Sequence, residues 1–125
     1  MSKLDQKLST LDPVWGQIRK EAEEAVVAEP LLGGLIHSTL LHHDTLEAAL
    51  AYRVSMKLAS AEMSEQILRE IADHVYENDA DIGQSSRADL MAIYERDPAC
   101  HRLLQPILYF KGFQAVQAFR IGHSP

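Results

Sequence analysis

Four groups of residues have types and spacings that could do chemistry. The first is Asp97, which stands directly before Pro98. An Asp in that place caps a following helix by accepting hydrogen bonds from first-turn amides. The second group is His37, His42 and His43. A helical metal pair needs two ligands four residues apart on one face, but these histidines are spaced by five, six and one. On an α-helix their side chains fan out, and no cysteine lies nearby, so no metal site is expected. The third is Cys100 beside His101. Neighbours on a helix point about 100° apart, so an inert buried thiol is expected rather than an activated nucleophile. The fourth, Glu77, Asp79 and Asp81, has acidic residues at alternate positions. It lacks the central glycine and closing glutamate of a calcium loop, which makes it a solvated turn. His74 and His101 are isolated, and the chain has neither a G-x-S-x-G elbow nor a glycine-rich phosphate loop.

The elements that would position these residues read as helix after helix. Asp12-Pro13 is a helix start, with Asp as cap and Pro at the first turn. Trp15, Ile18, Ala22, Ala25 and Val26 follow at helical spacing until Glu29-Pro30 stops the run. A second helix is expected from Pro30 to about His42. Its Gly33-Gly34 pair is costly inside a helix, which suggests close approach of another backbone, with a kink as the rival explanation. Asp44-Thr45-Leu46-Glu47 looks like a capping box in which Asp44 caps and Glu47 reaches back. The helix behind it runs to Leu58. Further helices are expected from Ser64 to the polar break at residues 77–81, and from Ile82 to Glu95 with a kink near residues 83–87. A short one opens at Asp97-Pro98, and a last one runs from Pro106 to Gly122. Tyr109, Phe110, Phe113 and Phe119 have core spacing in that last helix, with Lys111 and Arg120 at its polar edge. Strand and hairpin signals are absent. The expected fold is all-α, a multi-helix bundle of about six to eight helices. Residues 1–11 are expected to be a flexible N-terminus, 12–123 a helical domain and 124–125 a tail.

Composition narrows the partners. The chain has 125 residues, 46% of them hydrophobic, which suffices for one domain with a real core. A formal net charge of -6 argues against nucleic acid and against an anionic membrane surface. Cys100 is the sole cysteine, so an intramolecular disulfide is impossible, which suits a reducing compartment. The polar N-terminus has no apolar signal region, and no apolar run is long enough to span a bilayer. A soluble, cytoplasmic protein is expected.

An ordered set of segments carries a resemblance over nearly the whole chain, from Val14-Trp15 to His123. Its weaker members are Ala28-Glu29-Pro30-Leu31-Leu32, His37-Ser38-Thr39-Leu40-Leu41, Leu46-Glu47-Ala48-Ala49-Leu50-Ala51-Tyr52 and Lys57-Leu58-Ala59-Ser60. Its stronger members are Arg96-Asp97-Pro98-Ala99, Lys111-Gly112-Phe113-Gln114-Ala115 and Phe119-Arg120-Ile121-Gly122-His123. Together they resemble the helical N-terminal domain of serine O-acetyltransferases. The resemblance implies an enzyme of cysteine biosynthesis that moves acetyl from acetyl-CoA to L-serine, using a histidine as general base. That base and the acetyl-CoA site belong to a left-handed parallel β-helix that follows the helical domain in the family. The resemblance gives Asp97 a substrate-binding role, as a carboxylate facing the serine ammonium. The same site accepts the feedback inhibitor L-cysteine. Oligomerisation, to a hexamer in the full-length enzyme, is the other implied role of the domain.

The present sequence stops at Pro125, where the family continues into the β-helix. The expectation is therefore an N-terminal domain that is inactive alone, with no catalytic residue, cofactor or metal of its own. His123 is not expected to be the missing base. It lies at the end of the last helix, where a cation suits the helix dipole. The alternative is a stand-alone helical self-association or adaptor domain without catalytic activity.

Overall fold

The computed structural model describes residues 11–124. The expected flexible segment 1–11 lies outside the described residues except for Leu11, as does Pro125 of the tail. Among the described residues there are seven α-helices and no strand, so the chain is all-α.

Helix α1 (Pro13–Ala28) begins as its sequence predicts. Asp12 caps it, its carboxylate accepting from the Trp15 amide at 3.2 Å. Its apolar stripe buries Trp15, Ile18, Ala22 and Ala25. The next stretch is not the single helix expected. Pro30 opens a 3-10 turn to Leu32, a short helix α2 (Gly33–Ile36) follows, and a π-turn takes over from His37 to Leu41. Close backbone approach at the glycine pair is also overturned. A Cβ on Gly33 would touch only Val26 Cγ1 at 3.8 Å, and one on Gly34 would meet open space. The pair instead coincides with the change of winding.

Helix α3 (Leu46–Leu58) is capped by Thr45, not Asp44. The Thr45 hydroxyl accepts from the Ala48 amide at 3.1 Å. Glu47 does not reach back, because both its oxygens accept hydrogen bonds from Arg87. Helix α4 (Glu65–Asn78) starts after its Ser64 cap as predicted. Helix α5 (Ala80–Arg96) starts two residues before the expected Ile82, with Asp79 as cap, and runs unbroken through residues 83–87. The Ser86 hydroxyl inside it is absorbed by the Ile82 carbonyl and the Gln117 side chain.

Two expectations near the C-terminus fail. No helix opens at Asp97-Pro98: residues 97–103 form a loop, and α6 (Leu104–Tyr109) begins later. The final helix is not continuous from Pro106 either. Phe110 is extended, at φ −95° and ψ 100°, and separates α6 from α7 (Lys111–Gly122). The C-terminal carbonyls of α6 are held by the guanidinium of Arg53 on α3, which donates to Leu108 O at 2.7 Å and to Ile107 O at 3.3 Å. A cation at a helix C-terminus also suits the dipole. The bend at Phe110 divides the aromatics. Phe113 is buried, whereas Tyr109 is 48% and Phe119 62% exposed.

Helix α3 lies along α4 and also touches α7, and α5 packs on α7. Their shared core joins α1 through Trp15 and Ile18, α3 through Leu46 and Leu50, and α6 through Leu104 and Ile107.

Candidate functional site

Helix α5 ends at Arg96 because Asp97 turns to an extended conformation, at φ −92° and ψ 114°. The residue before a proline is pushed out of the helical region. The Asp97 carboxylate therefore caps no helix. Its Oδ1 accepts from the Ala99 amide at 2.9 Å, two residues on, and its carbonyl accepts from the Cys100 amide at 3.0 Å. This is an Asx turn. The side chain is exposed, and Oδ2 has no hydrogen-bond partner among the described residues. One carboxylate oxygen thus holds the loop while the other faces solvent.

The rest of the loop is fixed by two side chains. Gln105 Oε1 accepts from the His101 amide at 2.5 Å and the Arg102 amide at 2.8 Å. Glu21 reaches across from α1, Oε1 accepting from Leu104 N at 3.0 Å and Oε2 from Leu103 N at 3.3 Å. Cys100 is buried, and its thiol donates to the Arg102 carbonyl. Burial pushes this thiol up; its hydrogen bond to the Arg102 carbonyl pulls the other way, and the charges of Asp97 and Glu21 add smaller upward pushes. A thiol held protonated is a poor nucleophile, as its packing reading anticipates.

The histidines separate. His43 is buried, with Nε2 3.0 Å from the Ser38 carbonyl and its ring tilted 5.1 Å from Tyr52. Burial, helped by the Arg69 charge, pushes His43 below its ordinary value, although the Ser38 carbonyl pulls the other way. His37 and His42 are exposed, and both line one groove of about 670 Å³ with Gly34 and Tyr52. A five-residue spacing fans side chains apart on an α-helix. Here the π-turn closes on a hydrogen bond from the His42 amide to the His37 carbonyl at 2.8 Å and returns both to one side. Among the described residues, no group of three or more His, Cys, Asp or Glu is placed to hold a metal. Asp79, from the acidic stretch, caps α5 and accepts from the Ser124 hydroxyl. His123 sits past the end of α7, stacked on Phe119 at 3.9 Å.

Sequence reasoning missed Glu21 and Gln105. Glu21 looks like one more charge on the polar side of α1, yet it is only 6% exposed. Nothing local marks it, because its partners lie 82 and 83 residues away. Gln105 carried only a faint signal: a side-chain acceptor just before Pro106, three and four residues from the amides it serves.

The family profile described as "Serine acetyltransferase, N-terminal" matches residues 14–118. The chain belongs to this serine acetyltransferase N-terminal family. A serine acetyltransferase from Salmonella typhimurium is 42% identical over 113 residues, 90% of this chain but 41% of that protein. The chain thus spans about two-fifths of that relative's length. Among solved structures, the Neisseria gonorrhoeae serine acetyltransferase in complex with serine is 47% identical, with a TM-score of 0.85 over 89% of this chain and 46% of its own. The Brucella abortus enzyme in complex with coenzyme A is 40% identical, with a TM-score of 0.86 over 93% of this chain and 46% of its own. A serine acetyltransferase complex with cysteine is 41% identical, with a TM-score of 0.87 over 90% of this chain and 46% of its own. The matched residues 14–118 include the Asp97 loop, Glu21 and Gln105. Among the described residues, no helix is long and apolar enough to cross a membrane.

Proposed function

We propose that this chain is the N-terminal domain of a cytoplasmic serine O-acetyltransferase, and that Asp97 binds the amino-acid substrate. The observation that carries this is the Asp97 carboxylate itself. One oxygen is committed to the Ala99 amide and the other is open on an exposed, tied-down loop. A carboxylate so held is already oriented for an ammonium group, and a charge-assisted hydrogen bond to it would be short and directional. L-serine presents that ammonium, and so does L-cysteine. The acyl transfer itself needs a general base within reach of the serine hydroxyl. None of the residues in this chain is assigned that role, and acetyl-CoA is a co-substrate of the full-length enzyme.

The test is to join this domain to the catalytic part of the Salmonella relative and measure both Michaelis constants. Asp97→Ala is expected to raise KM for serine about tenfold or more while acetyl-CoA KM stays within about twofold. Equal loss for both substrates would reassign Asp97 to the fold. The domain alone is expected to give no acetyl transfer above background, and turnover by it would refute the assignment of the chemistry elsewhere.

A second role, self-association, is favoured by the surface of α7. Val116 is 43% exposed and Phe119 62%, and the two line one groove with Ile82. Contiguous apolar surface of this kind seeks a partner. The isolated domain is expected to sediment as a dimer or larger at high concentration, and Phe119→Glu to shift it towards monomer. A monomer at all concentrations would remove this role. Neither nucleic acid nor membrane is a partner in this scheme.

A further inference from the structure

A loop outside helix and sheet must still satisfy its amides. Between α5 and α6 this is achieved almost wholly by side chains. Asp97 takes the Ala99 amide through its carboxylate and the Cys100 amide through its carbonyl. Gln105 takes His101 and Arg102. Glu21 takes Leu103 and Leu104. Every amide from Ala99 to Leu104 is bonded, and the last pair depends on a residue of another helix. Helix α6 has no side-chain cap from its own N-cap residue Leu103.

Glu21 is an unusual choice for the task. Its carboxylate is buried, and among the described residues its side chain forms no salt bridge. Its hydrogen bonds come from two backbone amides and from Gln17 at 3.3 Å. A buried carboxylate with no ion-pair partner is costly unless amides satisfy it. Here each oxygen is spoken for, so the side chain is held on both atoms and cannot drift without stranding an amide.

The geometry points to Glu21 as a positioning residue for the amino-acid site. From α1 it fixes the far end of the loop whose near end is Asp97, and Gln105 fixes the middle. This rests on the substrate role proposed for Asp97. A carboxylate that must meet an ammonium loses much of its effect when displaced by about 1 Å. Glu21→Gln keeps the shape of the side chain but turns one acceptor into a donor that faces a backbone N–H.

The test uses the full-length enzyme carrying this domain on the catalytic part of the Salmonella relative, in four forms: unaltered, Glu21→Gln, Asp97→Ala and the double variant. Glu21→Gln is expected to raise KM for serine about tenfold and weaken cysteine inhibition by a similar factor, with acetyl-CoA KM within about twofold. In the Asp97→Ala background the same change is expected to add almost nothing to KM for serine, because the group it positions is gone. A purely structural Glu21 would lower kcat or protein yield alike in both backgrounds. Unchanged serine KM in Glu21→Gln, beside a raised one in Asp97→Ala, would overturn the positioning role and leave the substrate role standing. So would two effects that simply multiply. An Asp97→Ala enzyme with normal serine KM would sink the substrate role itself, and the positioning role with it. Should Glu21→Gln fail to fold, Gln105→Ala serves in its place: a smaller rise in serine KM that vanishes without Asp97 supports the positioning of this loop, and none overturns it.

Discussion

Trp15→Ala is expected to destabilise the domain by about 4 kcal/mol, enough to leave a small domain partly unfolded at 25 °C. Trp15 is 0% exposed and is one of the largest fully buried side chains. It sits in the first turn of α1, where its amide donates to the Asp12 cap. Its indole N–H crosses to the Asp44 carbonyl at 2.9 Å, tying α1 to the turn that starts α3. Truncation would remove the ring's burial, leave a cavity between the helices and break this tie. Trp15→Phe separates the parts. It keeps most of the apolar volume and loses the hydrogen bond, so about 1–2 kcal/mol is expected. Urea unfolding followed by helical ellipticity reads both. A loss below about 1 kcal/mol for Trp15→Ala would contradict the placement of this ring at the centre of the core.

Arg87→Met is expected to cost about 3 kcal/mol at pH 7. The Arg87 guanidinium donates to Asp12 at 2.5 Å and to both oxygens of Glu47 at 3.0 Å, so one cation clamps α1, α3 and α5 together. The Arg87, Asp12 and Glu47 side chains are 16%, 22% and 31% exposed, so the three charges are partly withdrawn from water. Removing the cation leaves two carboxylates close together and unpaired. Lysine is a poor substitute, since it has no planar fork to serve both partners. The clamp also explains a glycine. A Cβ at Gly83 would run into the Glu47 carboxylate and lie 3.2 Å from Arg87 Nη1.

The pH dependence follows from Asp12. Burial works to raise its pKa, but the hydrogen bonds from Arg87 and the Trp15 amide and the Arg87 charge outweigh it, so the carboxyl is held below its ordinary 3.8. The unfolded chain therefore takes up this proton first on acidification. The contribution is complete above pH about 4 and is lost as pH falls through the lower folded value. Arg87→Met is expected to flatten this loss below pH about 4. An unchanged acid limb in the urea midpoint would show that the clamp does not govern it.

The start of α1, the Ser64 cap of α4 and the all-helical class were legible because each depends on residues within one or two turns. Asp12-Pro13 and Ser64 act on amides three residues away or fewer. The errors have a common source in longer-range competition. Asp44-Thr45-Leu46-Glu47 satisfies a capping-box pattern, but Arg87, 40 residues on, takes the glutamate. Asp97-Pro98 satisfies a helix-start pattern, but the following amides go to Gln105 and Glu21 instead of to a helix. His37 and His42 are rightly separated on an α-helix, but the local winding is not α.

By itself the sequence determined that the chain is helical and where α1 and α4 begin. Through its ordered segments it also marked the family and Asp97 as the residue of interest. Periodicity and caps are local, so they survive without the fold. Only the tertiary structure decided that Asp97 closes an Asx turn with one oxygen left open, and that Glu21 is buried to hold the loop's far end. Those facts depend on which helices meet, and a buried polar group is satisfied by whatever the packing brings to it, however distant in the chain.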